Sequence, residues 1–120
     1  MACVQTIGVH HVAINVTDVP AAIEFYRDVL GLEVRDDRPD FGIAGAWLDA
    51  GDQQVHLIEA PLPGNAGQHF ALRVADVDAA IARLRDGGVE VSDAMSTGRG
   101  RQCFLSDPSG NAIELNQPAG

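Results

Sequence analysis

The composition suits one folded domain that handles small molecules. The chain has 120 residues, 46% of them apolar, which is enough to bury a hydrophobic core without disulfides. Seventeen acidic residues against eight arginines and no lysine give a net charge of −9, which disfavours nucleic acid and anionic lipid as partners. With no signal-like start and no apolar run near the roughly 20 residues of a membrane span, we expect a cytoplasmic protein.

The first half of the chain is predicted to form a strand, a helix and three more strands. Residues 11–16 (HVAINV) alternate between apolar and mixed positions, as in a strand with one face on a core. Asp18 or Thr17 is predicted to cap a helix that Gly31 ends. Strands are predicted over 32–35, 44–49 and 54–59, with a turn at 50–52.

The second half repeats this order. A strand is predicted from His69, Asp76 is predicted to cap a helix that Gly87 and Gly88 end, and strands follow over 89–92, 102–105 and 112–116. The segment 107–111 (DPSGN) predicts a strong turn, and 61–67 predicts the connector between the halves.

An internal repeat with a period of 58 residues explains this order. HVAINVTDVPAAI (11–23) superposes on HFALRVADVDAAI (69–81) with eight of thirteen residues identical, and the same shift without a gap places Asp49 on Asp107 and His56 on Glu114. We therefore predict a single α+β domain over 1–120. It consists of two tandem βαβββ modules, about 7–60 and 67–117, which form a cleft of mixed β-sheet with the helices outside.

Four potential metal ligands are predicted on the cleft face. Strand alternation puts His11, His56, His69 and Glu114 on the side opposite the helices, whereas His10 falls on the other face and is expected to be structural. One such histidine alone is best interpreted as a polar cleft residue. Together, the four offer nitrogen and oxygen donors that suit Zn, Ni, Co, Mn or Fe, and the identity of the metal stays open.

Further residues are candidates for substrate contacts. Asn15 and Arg73 are repeat partners on the same strand face, although Arg73 has the alternative of reaching solvent or pairing with an acid. The segment 98–102 (GRGRQ) predicts a flexible basic loop in which Arg99 and Arg101 cover an anionic substrate or are simply solvated. Trp47 is expected to line the pocket or to pack under a helix, and Cys3 and Cys103 are predicted to be reduced thiols.

Four segments carry a resemblance to a known family: HHVAINVTDVPAAIEFYRDVLGL, QVHLIEA, HFALRVADVDAAIARLRDGGVEV and DPSGNAIELNQP. With them the chain resembles the vicinal oxygen chelate superfamily, which includes glyoxalase I, extradiol dioxygenases, fosfomycin-modifying thiol transferases, epimerases and bleomycin-binding proteins. The resemblance implies a divalent metal held by the first and last strand of each module, which maps onto His11, His56, His69 and Glu114. It also implies a homodimer whose two modules come from one chain or from two.

The sequence departs from several members of that family. Glyoxalase I typically has one ligand glutamate per module, whereas here only Glu114 remains and His56 stands in the other place. Fosfomycin-modifying relatives have a tyrosine where spacing puts Phe104, which we expect to face the substrate. We therefore expect a metal-dependent lyase or isomerase of the glyoxalase I type acting on a small vicinal-oxygen substrate, with Glu114 as general base and His56 as a fourth ligand or a second acid/base group. The alternatives are an antibiotic-binding resistance protein, a dioxygenase or a thiol transferase.

Overall fold

The computed structural model describes residues 4–64 and 66–119, and these form the two predicted βαβββ modules. Module one contains β1 (His11–Val16), α1 (Val19–Glu24), β2 (Glu33–Val34), β3 (Gly45–Ala50) and β4 (Gln53–Glu59). Module two contains β5 (Phe70–Arg73), α2 (Val77–Asp86), β6 (Met95–Thr97), β7 (Gly100–Ser106) and β8 (Ala112–Gln117).

Each module builds its own four-stranded mixed sheet. The strand orders are β1-β4-β3-β2 and β5-β8-β7-β6. The first strand of each module runs parallel to the last, and the other neighbours are antiparallel. β1 and β5 therefore each occupy a sheet edge with one hydrogen-bonded neighbour. The predicted mixed-sheet fold is confirmed, and the two sheets stay separate within the chain.

The helices begin at the predicted caps. The Asp18 side chain accepts from the backbone N–H of Ala21 at 3.1 Å, and the Asp76 side chain accepts from that of Ala79 at 3.0 Å. α2 is a regular helix, whereas α1 continues into a π-helical turn, Phe25–Val29. Gly31 follows with a φ of +76°, a left-handed conformation that glycine adopts without a Cβ clash. No helix in the described ranges is long and apolar enough to cross a membrane.

The hydrophobic core lies between the sheets and the helices. α1 packs on β3 and β4, and α2 packs on β7 and β8. One strand face supplies the core in each sheet, as alternation predicts. Cys103 is a buried free thiol, whereas Cys3 lies outside the described residues. The largest fully buried side chains are Tyr26, Leu48, Leu57, Ile113, Val16, Val55, Val77 and Cys103.

The predictions for the segment 89–102 are wrong in two respects. The predicted strand over 89–92 does not form. Instead, Ser92 makes two isolated bonds to Phe104, and the strand of this region is β6. The predicted loop over 98–102 is a tight hairpin turn, because Gly98 takes a φ of +65° and lets Thr97 pair with Gly100. β7 consequently starts two residues earlier than predicted, and Arg101 lies within a strand.

The repeat is not free of gaps. β4 and β8 keep the shift of 58, but Trp47 pairs with His56 while Phe104 pairs with Glu114, so β3 and β7 are related by 57. The strand counterpart of Asp49 is therefore Ser106, and the gapless assignment to Asp107 is wrong. The cause is the turn, which has four residues between Asp49 and Gln54 and five between Ser106 and Ala112.

That longer turn of module two joins the modules. The Tyr26 hydroxyl donates to Asp107 Oδ2 at 2.7 Å, and the backbone N–H of Thr17 donates to Ser109 Oγ at 3.0 Å. Asn111 Nδ2 donates to the backbone carbonyl of Asn15 at 2.9 Å. Burial and the hydrogen bond to Asp107 both raise the pKa of Tyr26, so its hydroxyl stays a proton donor in this contact.

Candidate functional site

A histidine and a carboxylate meet on the sheet of module two. His69 precedes β5, Glu114 lies on the adjacent β8, and His69 Nε2 is 3.0 Å from Glu114 Oε1. The Glu114 residue is 8% exposed, and its second oxygen accepts from Asn116 Nδ2 at 2.8 Å. His69 Nδ1 donates to the backbone carbonyl of Gly67 at 2.9 Å. These contacts fix the ring so that Nε2 faces the carboxylate.

The same contacts determine the electrostatics of His69. The hydrogen bond to Gly67 and then the bond to Glu114 raise the pKa of His69, because both stabilise the protonated imidazole. The Phe104 ring stands edge-on to the His69 ring, with centroids 5.3 Å apart. The ring of Phe104 therefore borders the pair from β7.

Three stacked rings occupy the matching face of module one. His56 lies between His11 and Trp47, with ring centroids 3.9 Å and 4.5 Å apart and interplanar angles of 13° and 12°. Phe41 lies beyond Trp47 at 6.2 Å. Trp47 thus lies on the histidine face and not under a helix.

The stack restricts what the two histidines can ligate. A metal ion lies near the plane of an imidazole that binds it, and two nearly parallel planes 3.9 Å apart do not meet at one ion. His56 Nε2 donates to Gln54 Oε1 at 2.8 Å, which further holds its ring in place. Burial and the neighbouring His11 lower the pKa of His56, so the ring is neutral at pH 7. As arranged, only one of these two rings can bind an ion shared with other ligands.

His10 lies beside the stack. Its Nδ1 is 2.9 Å from His11 Nδ1, its ring is edge-on to the His11 ring, and its backbone carbonyl accepts from Gln54. The exposed side chain of His10 thus contacts His11, whereas its bond to Gln54 uses only the backbone, and the structural role expected for His10 stays a prediction.

Within one chain, the two pairs of predicted ligands do not come together. His11 and His56 share one sheet, and His69 and Glu114 share the other. In residues 4–64 and 66–119, no three side chains of His, Cys, Asp or Glu lie close enough to hold one metal ion. A single copy therefore presents two half-sites.

The other predicted site residues are distributed over both faces. Phe104 borders His69, but Asn15 Nδ2 donates to the carbonyl of Pro61. Arg101 pairs with Asp78 at 2.8 Å, on the helix side of its sheet. Arg73 and Arg99 are exposed, at the end of β5 and in the β6-β7 turn.

Three supporting groups received no role in the sequence analysis. Gln54 and Asn116 each lie two residues from a predicted ligand on its strand and hydrogen-bond to it. The alternation pattern places both amides on the cleft face, so it contained the signal for them. The Gly67 carbonyl lies in the connector, where no side-chain pattern points to it.

The module-two half-site suits a divalent metal. Two ligands at right angles on a metal with bonds of about 2.1 Å are about 3.0 Å apart, as His69 Nε2 and Glu114 Oε1 are. Ligating histidines usually donate their other N–H to a carbonyl or carboxylate, and ligating carboxylates are themselves hydrogen-bonded. Gly67 and Asn116 provide these two contacts.

Comparisons with known proteins show what this chain is similar to. The family model described as Glyoxalase/Bleomycin resistance protein/Dioxygenase superfamily matches residues 8–115. The chain is 34% identical to a 2-epi-5-epi-valiolone epimerase from Actinomyces sp, over 95% of this chain and 81% of that protein. It is 28% identical to a lactoylglutathione lyase from Salmonella typhimurium, over 88% of each chain.

A solved structure adds a relative that is described as a binding protein. TnmS3, an antibiotic binding protein from Streptomyces sp. CB03234, is 34% identical and superposes with a TM-score of 0.79, over 97% of this chain and 99% of that chain. The same fold thus carries enzymes and binding proteins at similar sequence distances from this chain.

Proposed function

Because the chain belongs to the Glyoxalase/Bleomycin resistance protein/Dioxygenase superfamily, we propose that it is a divalent-metal-dependent lyase or isomerase of the glyoxalase I type. Its substrate is a small molecule with two adjacent oxygens. The observation that carries this proposal is the His69–Glu114 pair, held at 3.0 Å with both outer contacts satisfied. Zn, Ni, Co, Mn and Fe all suit such donors.

We propose that a second copy of the chain completes the site. His11 lies on β1 and His69 lies next to β5, and each strand is an edge of its sheet. Edge strands with unpaired backbone groups favour association with another chain. When β1 of one copy lies beside β5 of another, His11 joins the partner's His69 and Glu114 as a two-histidine, one-carboxylate set. His56 then flanks this set as a wall of the cleft.

The chain's own residues supply positioning and proton transfer. His11, His69 and Glu114 would hold a divalent metal, which would supply Lewis-acid polarisation of a substrate carbonyl and so make the neighbouring C–H more acidic. Glu114 takes the proton from that carbon and returns it to the neighbouring carbon, since it is the one carboxylate of the set. Asn116 holds the Glu114 carboxylate in place, and Phe104 borders the substrate.

A second candidate function is sequestration of a small aromatic molecule. It is favoured by the stacked column of His11, His56 and Trp47, with Phe41 beyond it, which gives module one an aromatic surface. The antibiotic-binding relative TnmS3 supports the same candidate. A binder needs this surface but does not need the His69–Glu114 pair.

Metal analysis of the purified protein separates the two candidates. We expect a stoichiometric divalent metal, lost in His69→Ala and retained in Arg99→Gln, whose side chain lies in the exposed β6-β7 turn. The metal-loaded protein is then assayed with methylglyoxal hemithioacetal across Zn, Ni, Co, Mn and Fe. Glu114→Gln removes a ligand as well as the general base, so it is expected to weaken metal binding and, at saturating metal, to lower turnover by about a hundredfold or more.

Two results would contradict the enzyme proposal. The first is a protein that binds none of the five metals at micromolar to millimolar concentrations. The second is a Glu114→Gln protein that keeps its metal and its full turnover. Tight binding of planar aromatic compounds by a metal-free protein supports the second candidate.

A further inference from the structure

A crevice of about 740 Å³ lies between the two modules, away from the His69–Glu114 pair. It is lined by Arg83 and Leu84 of α2, by Arg73 and the apolar Val74 at the end of β5, and by Asp49 of β3 and Gly51 of the turn after it. Volumes of this size are typical of small-molecule sites. The proposed function does not use this crevice.

The equivalent position in the other half of the repeat is filled by side chains of the chain itself. In the other half of the molecule, the π-helical turn after α1 meets the β7-β8 turn through Tyr26, which is 0% exposed, and the ring of Phe25, at 8% exposure, lies edge-on to the Tyr26 ring. The Tyr26 ring is buried there and its hydroxyl donates to Asp107 at 2.7 Å. The chain thus shows which chemistry fits this kind of contact: aromatic rings with one hydroxyl donor.

Two differences between the modules leave the equivalent contact, between α2 and the β3-β4 turn, open. The shift of 58 puts Arg83 and Leu84 in the places of Phe25 and Tyr26, so the module-two helix supplies no ring, and Arg83 is exposed. The module-one turn is also one residue shorter than its counterpart, so it extends less far towards the helix. The crevice is the space that aromatic rings at these two helix positions would fill.

The polar groups at the crevice favour a hydrogen-bond donor. The Asp49 carboxylate accepts from Arg35, and strand alternation puts its side chain on the face of Trp47, so the acceptors left to a ligand are backbone carbonyls. The helical segments before Gly31 and Gly87 both end at the crevice, and most of their last carbonyls accept from the backbone N–H groups that follow. In the described part of the chain, no backbone donor contacts the remaining carbonyls, which are those of Asp28, Val29 and Asp86. Such ends attract donors and disfavour anions. Arg83 is available to lie against an aromatic face.

We propose that this crevice binds a phenol: an aromatic molecule of one or two rings whose hydroxyl donates to one of the open helix-end carbonyls. The ligand takes the place that corresponds to the position of the Tyr26 ring at the β7-β8 turn. It touches both modules, so its binding stabilises their packing. The site contains none of the proposed metal ligands, and its residues Leu72 and Arg73 belong to β5, the edge strand that the proposed association pairs with a second copy.

The test uses 2-naphthol as the probe, with titration calorimetry and thermal unfolding of the full chain. We expect saturable binding, a rise in Tm, and binding about tenfold weaker for 2-methoxynaphthalene, which lacks the donor. Leu84→Tyr puts the chain's own phenol into the crevice and is expected to abolish naphthol binding and raise Tm by a few degrees. Leu84→Phe is the matched variant: it also blocks binding, with a smaller rise in Tm.

The controls separate this site from the aromatic surface of module one. Phe41→Ala is expected to leave naphthol binding unchanged, since Phe41 lies beside Trp47 and not at the crevice. Arg83→Phe provides a second test on an exposed position if Leu84→Tyr does not fold, and it is expected to weaken naphthol binding at least fivefold. Unchanged naphthol affinity in Leu84→Tyr or Arg83→Phe, or equal affinity for 2-methoxynaphthalene, would overturn the proposal.

Discussion

His69 is held at both ring nitrogens, and these two contacts act on protons and on a metal in opposite ways. The Gly67 carbonyl fixes Nδ1 as the protonated nitrogen in the neutral ring, which leaves the Nε2 lone pair directed at Glu114. The same environment raises the pKa of His69, so a proton competes for Nε2 more strongly than in a free histidine. His69 thus has two roles. Without metal it forms an ion pair with Glu114, and with metal it is a ligand.

The pH dependence follows from that competition. Below the unfolded pKa of about 6.5, the protonated His69 stabilises the metal-free fold through Glu114, and this stabilisation is lost as pH rises through the raised folded pKa. Metal affinity changes in the opposite direction. We expect cobalt affinity to fall at least about tenfold per pH unit below the folded pKa of His69 and to level off above it.

NMR titration of the His69 ring and calorimetry with cobalt at several pH values check this prediction. The ring of His56 is the internal control, since its pKa is lowered. A His69 pKa at or below 6.5 would contradict the argument, as would a cobalt affinity that does not change with pH.

At the scale of elements, strand register determines which side chains meet. His56 has Ala13 on one neighbouring strand and Trp47 on the other, and Glu114 has Ala71 and Phe104. Because the alanine on the edge strand is small, it leaves room for the imidazole ring two residues before it. His11 therefore reaches His56, and His69 reaches Glu114. The two modules share this geometry but use it differently, for ring stacking in one and for a polar pair in the other.

The stacking predicts that His56 is not a metal ligand. We expect His56→Gln to keep cobalt affinity within about threefold of the native protein, because the loss of stacking disturbs His11 only indirectly. His11→Ala and His69→Ala are expected to lose a direct ligand, and loss of one ligand typically weakens binding far more than loss of an outer contact, which costs about 10- to 100-fold. Competition calorimetry measures all three variants. Equal losses in His56→Gln and His69→Ala would show that the His56 ring turns out of the stack to bind the ion.

At the scale of the whole molecule, the duplication gives each module two edge strands and joins the modules by an internal contact. The internal contact is made by Tyr26, Asp107 and Asn111 within the chain. One edge of each sheet is β2 or β6, and the other is β1 or β5, next to which the half-sites lie. The association proposed above pairs β1 with β5 between copies and leaves the internal contact intact.

A complementation experiment tests whether the metal site spans two copies. One chain carries His11→Ala and the other Glu114→Gln, and neither homodimer is expected to bind cobalt tightly. Co-expression gives mixed dimers in which module one of the Glu114→Gln chain faces module two of the His11→Ala chain. We expect one tight site per mixed dimer. If mixed dimers form and no tight site appears, the ligands are not shared between copies.

The sequence predicted the elements well where the pattern was local. The strand 11–16 and both caps are as predicted, since alternation and capping residues act within a few positions. The prediction of a strand over 89–92 is wrong because the hairpin turn at Gly98 lets the segment 95–97 pair continuously with β7 instead. Pairing between segments decides such cases, and the local pattern does not contain it.

The sequence by itself determined the duplication, the fold class and the face on which His11, His56, His69 and Glu114 lie. A period of 58 and the two-residue alternation of a strand are enough for that, because both are properties of the order of residues along the chain. Only the tertiary structure decided that the four ligands form two separate pairs, that His56 stacks between rings, and that a crevice lies between the modules. These features depend on which sheet edges meet, how side chains rotate and how long one turn is, and contacts between distant segments settle all three.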